Sequence, residues 1–390
     1  MANENLGDAK KAKNDEFYTQ YDDINKEINA YLEYDEDVFR GKTVLLPCDD
    51  PEWSNFTKFF AQNFNRLGLK KLISTSYAIG SKPQELNLQP TLFEMDSPQF
   101  DTKKAVQNGR IFVLDRDTNK DGVINFDDIT WSYLEGDGDF RSVEVTKLRD
   151  EADIVVTNPP FSLFREFVDW LFGGNTKFLI IGNMNAVTYK EIFVLIQKNL
   201  MWLGVTRTGV GFMWFEVNDG SPIKSGQKVI DGKRFQTIGN SAWFTNIDHQ
   251  RLHEPLILNS EEDNIRFGPP GIKGVGYKKY DNYDAIEVPK VDAIPSDFNG
   301  VMGVPITFLG KHNPNQFDIL GSDAYDETPP TKKYVNKVKV VNGERMRSNT
   351  GTMGCVIRRE TFGDGTYFDV GYPVQAVYKR IFIRHRKSGK

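Results

Sequence analysis

The chain has 390 residues, of which 39% are hydrophobic and 26% are charged, and its formal net charge at pH 7 is −5. This length allows a large core and favours two domains, or one domain with a sizeable extension. No apolar run approaches the roughly 20 residues that cross a bilayer, and the polar start lacks a signal-peptide pattern. Cys48 and Cys355 are far apart and have no metal-ligand spacing. We therefore expect a soluble, cytoplasmic, globular protein without a disulfide framework or a zinc site.

Short apolar strands alternate with amphipathic helices over the first 200 residues. The predicted strands are 43–47, 71–77, 110–114, 153–157 and 177–183. The predicted helices are 21–32, one within 48–68, 161–172 and 189–199. Because strands that alternate with helices are joined by crossover connections, this pattern favours a parallel sheet covered on both faces.

The alternation of strands and helices ends after residue 200. The segments "MWLGV", "GFMWFEV" and "NSAWFTNI" are predicted strands without intervening helices, so we expect antiparallel strands to close the sheet. From about residue 250, Pro, Gly, Asn and Asp become frequent and the helical periodicity fades. We therefore divide the chain into a domain of residues 1–250 and a β-rich, loop-rich region of residues 251–390.

Basic residues are concentrated at the end of the chain. Residues 331–390 contain 14 Lys and Arg against 4 Asp and Glu, a net charge of +10, which leaves −15 on the preceding residues (−5 minus +10). Such a segment is suited to phosphate contacts. An ordinary solvated surface explains the charge equally well.

The stretch "TNPPF", residues 157–161, follows a buried strand and carries the clearest chemical signal. In an open α/β sheet, ligands lie beyond the carboxyl ends of the strands. Asn158 offers a side-chain carbonyl there and Pro159 a backbone carbonyl in a stiff peptide, and these acceptors can take both hydrogens of one NH₂ group. This arrangement localises the lone pair of a planar amine such as that of adenine, while Phe161 offers a ring on which the base can stack.

The same residues have a plain structural interpretation. Pro159 and Pro160 end a strand because they donate no backbone hydrogen bond, and Phe161 can belong to the core of the next helix. The tetrapeptide is nevertheless typical of amino-group methylation, so we predict that Asn158, Pro159, Pro160 and Phe161 form the catalytic loop.

The loop resembles the Asn-Pro-Pro-aromatic motif of S-adenosylmethionine-dependent amino-methyltransferases, and the wider sequence resembles the EcoRI-type adenine-specific DNA methyltransferases. The segments that carry the resemblance span most of the chain in the same order: "KNDEFYTQYDDINKEI" (13–28), "CDDPEWSNF" (48–56), "GDGDFRS" (136–142), "DIVVTNPPFSLFREFV" (153–168) and "GVMGVPITFLGKHNPNQFDILG" (300–321). It implies a Rossmann-like methyltransferase sheet, mostly parallel with antiparallel closing strands, followed by a target-recognition region.

The resemblance also implies which residues hold S-adenosylmethionine. "FYTQ" is similar to the Phe-Tyr-Thr element near the cofactor, which assigns Phe17, Tyr18 and Thr19. Alternatively, these residues begin a helix and pack into its core. "PCDDPEWSN" replaces the usual Gly-rich turn, and either acid of its Asp-Asp pair, Asp49 or Asp50, can bind the amino or hydroxyl groups of the cofactor.

Two further segments concern the cofactor region. One departs from the general methyltransferase pattern, and the other has two interpretations. "STSYAIG" contains no ribose-binding carboxylate where one is usual. "GDGDF" resembles the segment whose acid accepts from the adenine amine beside a packing aromatic, which assigns Asp139 and Phe140. A Gly/Asp surface turn is an alternative interpretation of that segment.

Residues 117–128, "DTNKDGVINFDD", match the spacing of an EF-hand calcium loop. The predicted ligands are Asp117, Asn119, Asp121 and Asp128, arranged around a turn at Gly122. The last ligand is Asp rather than the longer Glu, and the flanking residues do not predict the two helices of an EF-hand. The alternative is an acidic, turn-rich insertion between strands.

The resemblance implies methyl transfer to the 6-amino group of an adenine that is flipped out of double-stranded DNA, in a restriction-modification or phage/host DNA-protection setting. It places target recognition in the basic C-terminal region, suggests a monomer, and allows a cognate restriction nuclease as a genetic partner. Methylation of an RNA base or a protein glutamine is the nearest alternative, since similar loops serve those reactions. A catalytically silent DNA-binding protein is an alternative of another class, which the intact loop disfavours.

Overall fold

The computed structural model describes residues 18–51, 54–78, 97–206, 215–216, 227–230, 233–236, 241–324, 328–346, 354–363 and 365–386. The chain divides into two compact units. The first consists of Met1–Ala186 and Met201–Gln250, and the second consists of Val187–Leu200 and Arg251–Lys390. The first unit therefore ends where the composition of the sequence changes, but one short earlier segment belongs to the second unit.

The first unit contains most of the helices and a large sheet. Its strands are β1 (Tyr18–Thr19), β2 (Thr43–Leu46), β3 (Lys71–Ser76), β4 (Arg110–Leu114), β5 (Thr130–Tyr133), β6 (Ile154–Thr157), β7 (Lys177–Asn183), β8 (Trp202–Leu203), β9 (Phe215–Glu216), β10 (Gln227–Ile230), β11 (Lys233–Gln236) and β12 (Ser241–Thr245). Its α-helices are α1 (Tyr21–Tyr34), α2 (Asn55–Gln62), α3 (Phe64–Leu67), α4 (Thr102–Gln107), α5 (Val143–Glu151) and α6 (Phe164–Phe172).

The large sheet has the strand order β5-β4-β3-β2-β6-β7-β12-β8. The central strands β3, β2, β6 and β7 are parallel neighbours. β12 pairs antiparallel with β7, and β8 pairs antiparallel with β12, so the predicted antiparallel closing strands are confirmed. On the other side β4 is antiparallel to both of its neighbours, so the sheet is mixed, and the prediction of a mostly parallel sheet is wrong outside the block β3-β2-β6-β7. Since only the loop of residues 115–129 joins β4 to β5, no helical crossover is present to make that pair parallel.

Apolar side chains from α1 and α2 cover the parallel strands. Ile24, Ile28 and Tyr31 are buried on one face of α1, as their helical spacing predicts. The predicted helix within 48–68 is interrupted at Asn63, between α2 and α3. The amide of Asn63 donates to the Phe59 carbonyl at 2.8 Å, a local bond that competes with continued helix.

A small sheet, in the order β1-β9-β11-β10, also lies in the first unit. The predicted strand "GFMWFEV" contributes β9 to this sheet rather than to the large one, and the rest of that segment lies outside the described residues. β9 pairs antiparallel with β1 and β11. The segment "FYT" is thus connected through β1 to residues about 200 positions later in the chain.

The second unit is rich in β-structure, as its sequence predicts. It contains α7 (Lys190–Gln197), α8 (Glu261–Phe267), β13 (Ile286–Glu287), β14 (Met302–Pro305), β15 (Phe317–Ser322), β16 (Val338–Val341), β17 (Glu344–Met346), β18 (Val356–Arg358), β19 (Thr366–Asp369), β20 (Pro373–Ala376) and β21 (Arg380–His385). These strands form sheets in the orders β13-β14-β21-β15 and β17-β16-β19-β20-β18. Within the described ranges, every helix is too short or too polar to span a bilayer. Cys48 and Cys355 are reduced thiols and are not joined in a disulfide.

Candidate active site at the strand ends

The Asn158–Phe161 loop begins at the carboxyl end of β6. Since β6 is parallel to both β2 and β7, its end lies at the same edge of the sheet as theirs. Pro159 is buried, while Asn158 is partly exposed and its side-chain Oδ1 is buried. The N–H of Leu163 donates to the carbonyl of Pro160 at 2.9 Å, which starts a short 3₁₀ turn leading into α6.

Phe161 occupies the first position of that turn. Its ring packs against the core of the first unit but remains partly exposed. The same side chain therefore packs into the core with one part and is accessible to solvent with another. A partly exposed ring beside the loop is suited to stacking on a planar base.

Asp49 follows β2 and lies at the same edge of the sheet. It is 6% exposed. Its Oδ1 accepts a hydrogen bond from Ser54 Oγ at 2.6 Å, and its Oδ2 accepts one from Thr157 Oγ1 at 2.6 Å. Thr157 is the residue immediately before Asn158, so the carboxylate of Asp49 connects the end of β2 to the start of the predicted catalytic loop.

Asp50 forms a buried ion pair with a residue of β4. Arg110 Nη2 donates to Asp50 Oδ2 at 2.8 Å, and each side chain is 7% exposed. Arg110 Nε also donates to Ser76 Oγ at 3.2 Å, at the end of β3. Because a buried charge is costly without its partner, this pair fixes the orientation of Asp50.

Asp139 is held by the arginine two positions further along the chain. Arg141 donates to the carboxylate of Asp139 from Nε at 2.9 Å and from Nη2 at 2.7 Å. Arg141 also donates to Glu166 at 2.9 Å. The carboxylate remains partly exposed, and its two-point contact with a guanidinium fixes its direction.

Phe140 lies in the hydrophobic core. Its ring is fully buried and packs against Phe167 and Trp170, with ring centroids 4.9 and 5.6 Å apart. The structure therefore places Phe140 beneath the strand-end surface, where it supports the segment that carries Asp139.

Tyr77, which the sequence analysis does not single out, lies between two of the strand-end segments. Burial and the neighbouring Cys48 and Asp139 raise the pKa of its phenol, and the backbone N–H of Phe140 donates to it. The residue stands directly after β3, in the segment "STSYAIG" that lacks the usual carboxylate. Its hydroxyl is therefore a polar side-chain group that this strand end provides near Asp139.

Gly138 allows this close approach of the segments. Its φ is +84°, and a Cβ built there would lie 2.4 Å from the carbonyl oxygen of Ser76, the last residue of β3. Only glycine fits such a contact without displacement of the backbone. Gly138 of "GDGDF" thus has a steric role in bringing Asp139 to the end of β3.

The segment "FYT" reaches the site through β1. Asn55 Nδ2 donates to the backbone carbonyl of Thr19 at 2.8 Å, which ties β1 to the start of α2. The Oγ1 of Thr19 is buried and has no hydrogen-bond partner among the described residues. Tyr18 lies opposite Glu216 in the small sheet, and Phe17 lies outside the described residues.

Comparison with known proteins decides which family this arrangement belongs to. Residues 5–386 match the family model described as adenine-specific methyltransferase EcoRI. The chain belongs to this family. It is 45% identical over 320 residues to the Type II methyltransferase M.EcoRI of Escherichia coli, an alignment that covers 82% of this chain and 89% of the relative.

Two further relatives come from mycoplasmas. The Type II methyltransferase M.MgeORF184P of Mycoplasma genitalium is 36% identical and M.MpnI of Mycoplasma pneumoniae 35% identical, each over 349 residues that cover 86% of this chain and 94% of the relative. No solved structure matches the chain significantly. As a member of the EcoRI adenine-specific methyltransferase family, the chain is an enzyme of that class.

In this family member the EF-hand-like segment 117–128 is a loop between β4 and β5. Asp117 accepts from the N–H of Gly122 at 2.8 Å, and Asp128 accepts from the N–H groups of Thr118 and Asn119 at 2.7 and 3.2 Å. Burial raises the pKa of Asp128, but hydrogen bonds from the backbone N–H groups of Asn125, Thr118 and Asn119 outweigh it and lower the pKa below its ordinary value.

The arrangement of acidic side chains in this loop gives no support to the calcium interpretation. Among the described residues, no group of three or more His, Cys, Asp and Glu side chains is arranged to hold a metal ion. The polar atoms of the loop instead bond within it: Asp121 Oδ1 accepts from the N–H of Val123, and Asn119 Oδ1 accepts from the N–H of Asp121. Calcium binding therefore stays a prediction.

Proposed function

We propose that the chain transfers a methyl group from S-adenosylmethionine to the 6-amino group of an adenine that is flipped out of DNA, and that Asn158–Phe161 is its catalytic loop. The observation that carries the proposal is the position of this loop, directly after β6 and joined through Thr157 to Asp49, in a chain of an adenine-specific methyltransferase family. The parallel order β3-β2-β6-β7 supports the predicted Rossmann-like methyltransferase sheet.

The loop acts by placing acceptors around the amine. The side-chain carbonyl of Asn158 and the backbone carbonyl of Pro159 accept hydrogen bonds from the two N–H groups of the amine. These bonds turn the nitrogen lone pair out of conjugation with the ring. Pro160 keeps the peptide stiff, and the partly exposed ring of Phe161 stacks on the base. No strong base is needed to activate the nitrogen, because the contribution of the protein is orientation and fixed dipoles, and the methylated nitrogen, which is then cationic and acidic, releases its extra proton to water.

The strand-end residues fit the polar groups of S-adenosylmethionine. The buried Oγ1 of Thr19, which has no partner among the described residues, is suited to a polar group of the cofactor. Asp50, oriented by Arg110, and Asp139, oriented by Arg141, add acceptors for its amino and hydroxyl groups. S-adenosylmethionine, when bound, supplies an electrophilic methyl group. Phe17 and Tyr18 stay assigned to this cofactor region, and Phe140 supports it from the core.

We assign target recognition to the second unit. Several of its cations lie over tyrosine rings: Arg358 and Lys332 lie 4.4 and 4.7 Å from the ring centroid of Tyr372, and Arg359 lies 5.2 Å from that of Tyr367. Cations held on aromatic surfaces are suited to phosphates and unstacked bases. The proposal requires DNA binding that weakens steeply as salt increases.

A labelling experiment tests the proposal. DNA from a host without adenine methylation is incubated with the protein and methyl-labelled S-adenosylmethionine, then digested, and the labelled nucleoside is identified. We expect labelled 6-methyladenine. Label found only in added RNA or protein overturns the DNA assignment, and no transfer to any substrate would support a silent DNA-binding protein.

The variant Asn158→Ala tests the loop. Removal of one fixed acceptor should lower the rate of transfer on the order of 100-fold or more, while DNA binding stays close to that of the unmodified protein. Asn25→Ala, which removes a partly exposed amide from α1, is the matched control and should leave the rate unchanged. Full activity of Asn158→Ala would refute the catalytic role of the loop.

The remaining partner and cofactor predictions have simple tests. Calcium binding at residues 117–128 predicts heat exchange when the protein is titrated with calcium chloride, and Asp117→Asn should remove it. The predicted monomer should elute at the size of one chain. A cognate nuclease, if present, should be encoded near this chain and cut only DNA that the enzyme has not methylated.

A further inference from the structure

Asp49 is the residue at which several elements of the first unit meet. Its backbone N–H donates to the carbonyl of Thr75 at 3.0 Å, and its backbone carbonyl accepts from Thr57 Oγ1 at 3.2 Å. Its carboxylate oxygens accept from Ser54 and Thr157. Backbone and side chain of Asp49 are therefore both fixed by buried groups, and the residue is rigid before any ligand binds.

The contact with Thr157 links this rigid point to the catalytic loop. Thr157 is fully buried and is the last residue of β6, paired with Ile180 of β7 on one side. Its hydroxyl donates to a carboxylate at 2.6 Å, a short, charge-assisted bond. Since a β-branched side chain has few rotamers, holding the hydroxyl also holds the backbone of Thr157, and Asn158 is the next residue.

The other carboxylate oxygen connects the same point to a helix. Ser54 donates to Asp49 and at the same time accepts from the N–H of Phe56 at 3.0 Å as the N-cap of α2. A continuous chain of hydrogen bonds thus runs from the start of α2 through Ser54 and Asp49 to Thr157.

We propose that Asp49 is a positioning residue for methyl transfer: its carboxylate holds the hydroxyl of Thr157 and so fixes the direction in which Asn158 presents its carbonyl to the amine. The proposal rests on the function proposed above for Asn158. It answers the question that the sequence leaves open between the two neighbouring acids, because it gives Asp49 to the loop and leaves Asp50 to the cofactor.

The two possible roles of Asp49 predict different kinetic effects. A contact with the cofactor affects chiefly the Kd for S-adenosylmethionine, and saturating cofactor restores the rate. A positioning contact affects the rate constant of transfer with cofactor saturating, because a displaced Asn158 orients the amine poorly, and errors near 1 Å are costly.

The experiment compares Thr157→Val, Thr157→Ser and Asp49→Asn in single-turnover transfer and in calorimetric binding of S-adenosylmethionine. We expect Thr157→Val to lower the rate constant about 10- to 100-fold while the Kd stays within about 3-fold. Thr157→Ser keeps a hydroxyl and should recover most of the rate. Asp49→Asn should lower the rate in the same way, with a Kd that changes little.

The matched control is Thr57→Val. Thr57 is similarly buried and its hydroxyl also contacts Asp49, but it bonds the backbone carbonyl, which Ser74 Oγ continues to hold without it, and it does not adjoin the loop. Thermal unfolding monitors the fold of each variant, and if Thr157→Val does not fold, Asp49→Asn decides the question. We expect Thr57→Val to keep both the rate constant and the Kd.

Each outcome has a defined meaning. A rate constant for Thr157→Val equal to that of the unmodified protein overturns the proposal, as does a loss confined to the Kd for S-adenosylmethionine. Asn158→Ala, measured in parallel, distinguishes a failure of the positioning role of Asp49 from a failure of the proposed function. If Asn158→Ala is inactive and Thr157→Val is fully active, only the role of Asp49 is wrong; if Asn158→Ala is fully active, the proposed function fails first.

Discussion

Each unit of the chain contains a carboxylate that collects hydroxyl donors from separate elements. In the first unit Asp49 accepts from Ser54 and Thr157, each at 2.6 Å. In the second unit Asp281 accepts from Tyr334 at 2.5 Å and from Tyr372 at 2.6 Å. Both carboxylates connect parts of the chain that are distant in sequence.

The surroundings of the two carboxylates differ. Asp49 is buried, and the groups that it holds are short and neutral. Asp281 is partly exposed, with Lys332 3.4 Å from its carboxylate and Arg358 over the ring of Tyr372. The same chemical device therefore fixes a neutral loop in one region and arranges cations on aromatic rings in the other. Substitutions in the first region should affect the stability of the fold and the rate of methyl transfer. Substitutions in the second region should affect the affinity for DNA and the pH dependence of stability.

The largest expected effect concerns the backbone of the strand-end region. Gly138→Ala places a Cβ 2.4 Å from the Ser76 carbonyl at a φ of +84°, which should reduce the stability of the first unit by about 3 kcal/mol. It should also weaken binding of S-adenosylmethionine, because Asp139 moves with the turn. Thermal unfolding and calorimetry measure these effects.

Gly122→Ala is the control for this prediction. Gly122 has a similar φ of +90°, but a Cβ there meets nothing within 4 Å, so the cost should be about 1 kcal/mol. If both variants lose the same free energy of unfolding, the close approach of Gly138 to β3 does not contribute to stability. The difference drawn between the rigid first unit and the partly exposed cluster of the second unit would then be weaker.

An intermediate effect is expected at the cation cluster of the second unit. Arg358→Ala removes an exposed guanidinium from the ring of Tyr372, and the slope of log K for DNA against log salt should become shallower by about 1. Filter binding or fluorescence anisotropy at several salt concentrations measures the slope. Arg266→Ala is the control, since Arg266 is an exposed residue of α8 paired with Glu262. If the salt slopes of Arg358→Ala and Arg266→Ala are equal, the cation cluster of the second unit does not contact DNA.

The smallest expected effect is the acid response of Asp281. Burial raises the pKa of Asp281, but hydrogen bonds from Tyr334, Tyr372 and Lys332 outweigh it and hold the pKa below its ordinary value of 3.8. The stabilisation is therefore present above pH 3.8 and is lost as the pH falls through the lower pKa of the folded protein.

Asp281→Asn should accordingly be less stable than the unmodified protein at neutral pH, and its free energy of unfolding should fall less steeply as the pH is lowered. Denaturant midpoints measured from neutral pH down to about pH 3 test this expectation. Asp284→Asn, at a nearby exposed acid, is the control for net charge. An unchanged acid limb in Asp281→Asn would show that the tyrosine hydroxyls do not stabilise the ionised form.

Much of the fold follows from local sequence patterns. Runs of apolar β-formers predict β2, β3, β4, β6 and β7 to within one or two residues, and the helical spacing of Ile24, Ile28 and Tyr31 predicts α1. The pairing of strands is less accessible. The direction of β4 and the membership of β9 in a separate small sheet depend on connections and contacts that no local pattern contains.

The candidate site divides in the same way. The sequence singles out Asn158 and Phe161 because a strand that runs into two prolines and an aromatic residue has a specific chemical meaning. It misses Thr157, which reads as an ordinary strand residue, and Arg110, which reads as the start of a strand. Their roles depend on partners 108 and 60 positions away in the chain, at Asp49 and Asp50 respectively.

The chemistry that this chain can offer follows from residue types and their order: paired acceptors on a stiff loop, a stacking ring and acids after apolar strands. Residue type and short spacing suffice for that, because hydrogen-bonding capacity and backbone stiffness are properties of single residues and their neighbours. Three assignments depend instead on the folded arrangement: Asp49 holds Thr157, Asp50 pairs with Arg110, and Phe140 lies in the core. Those assignments depend on which strand ends meet at one edge of the sheet, and strand order is set by packing of the whole unit rather than by any segment.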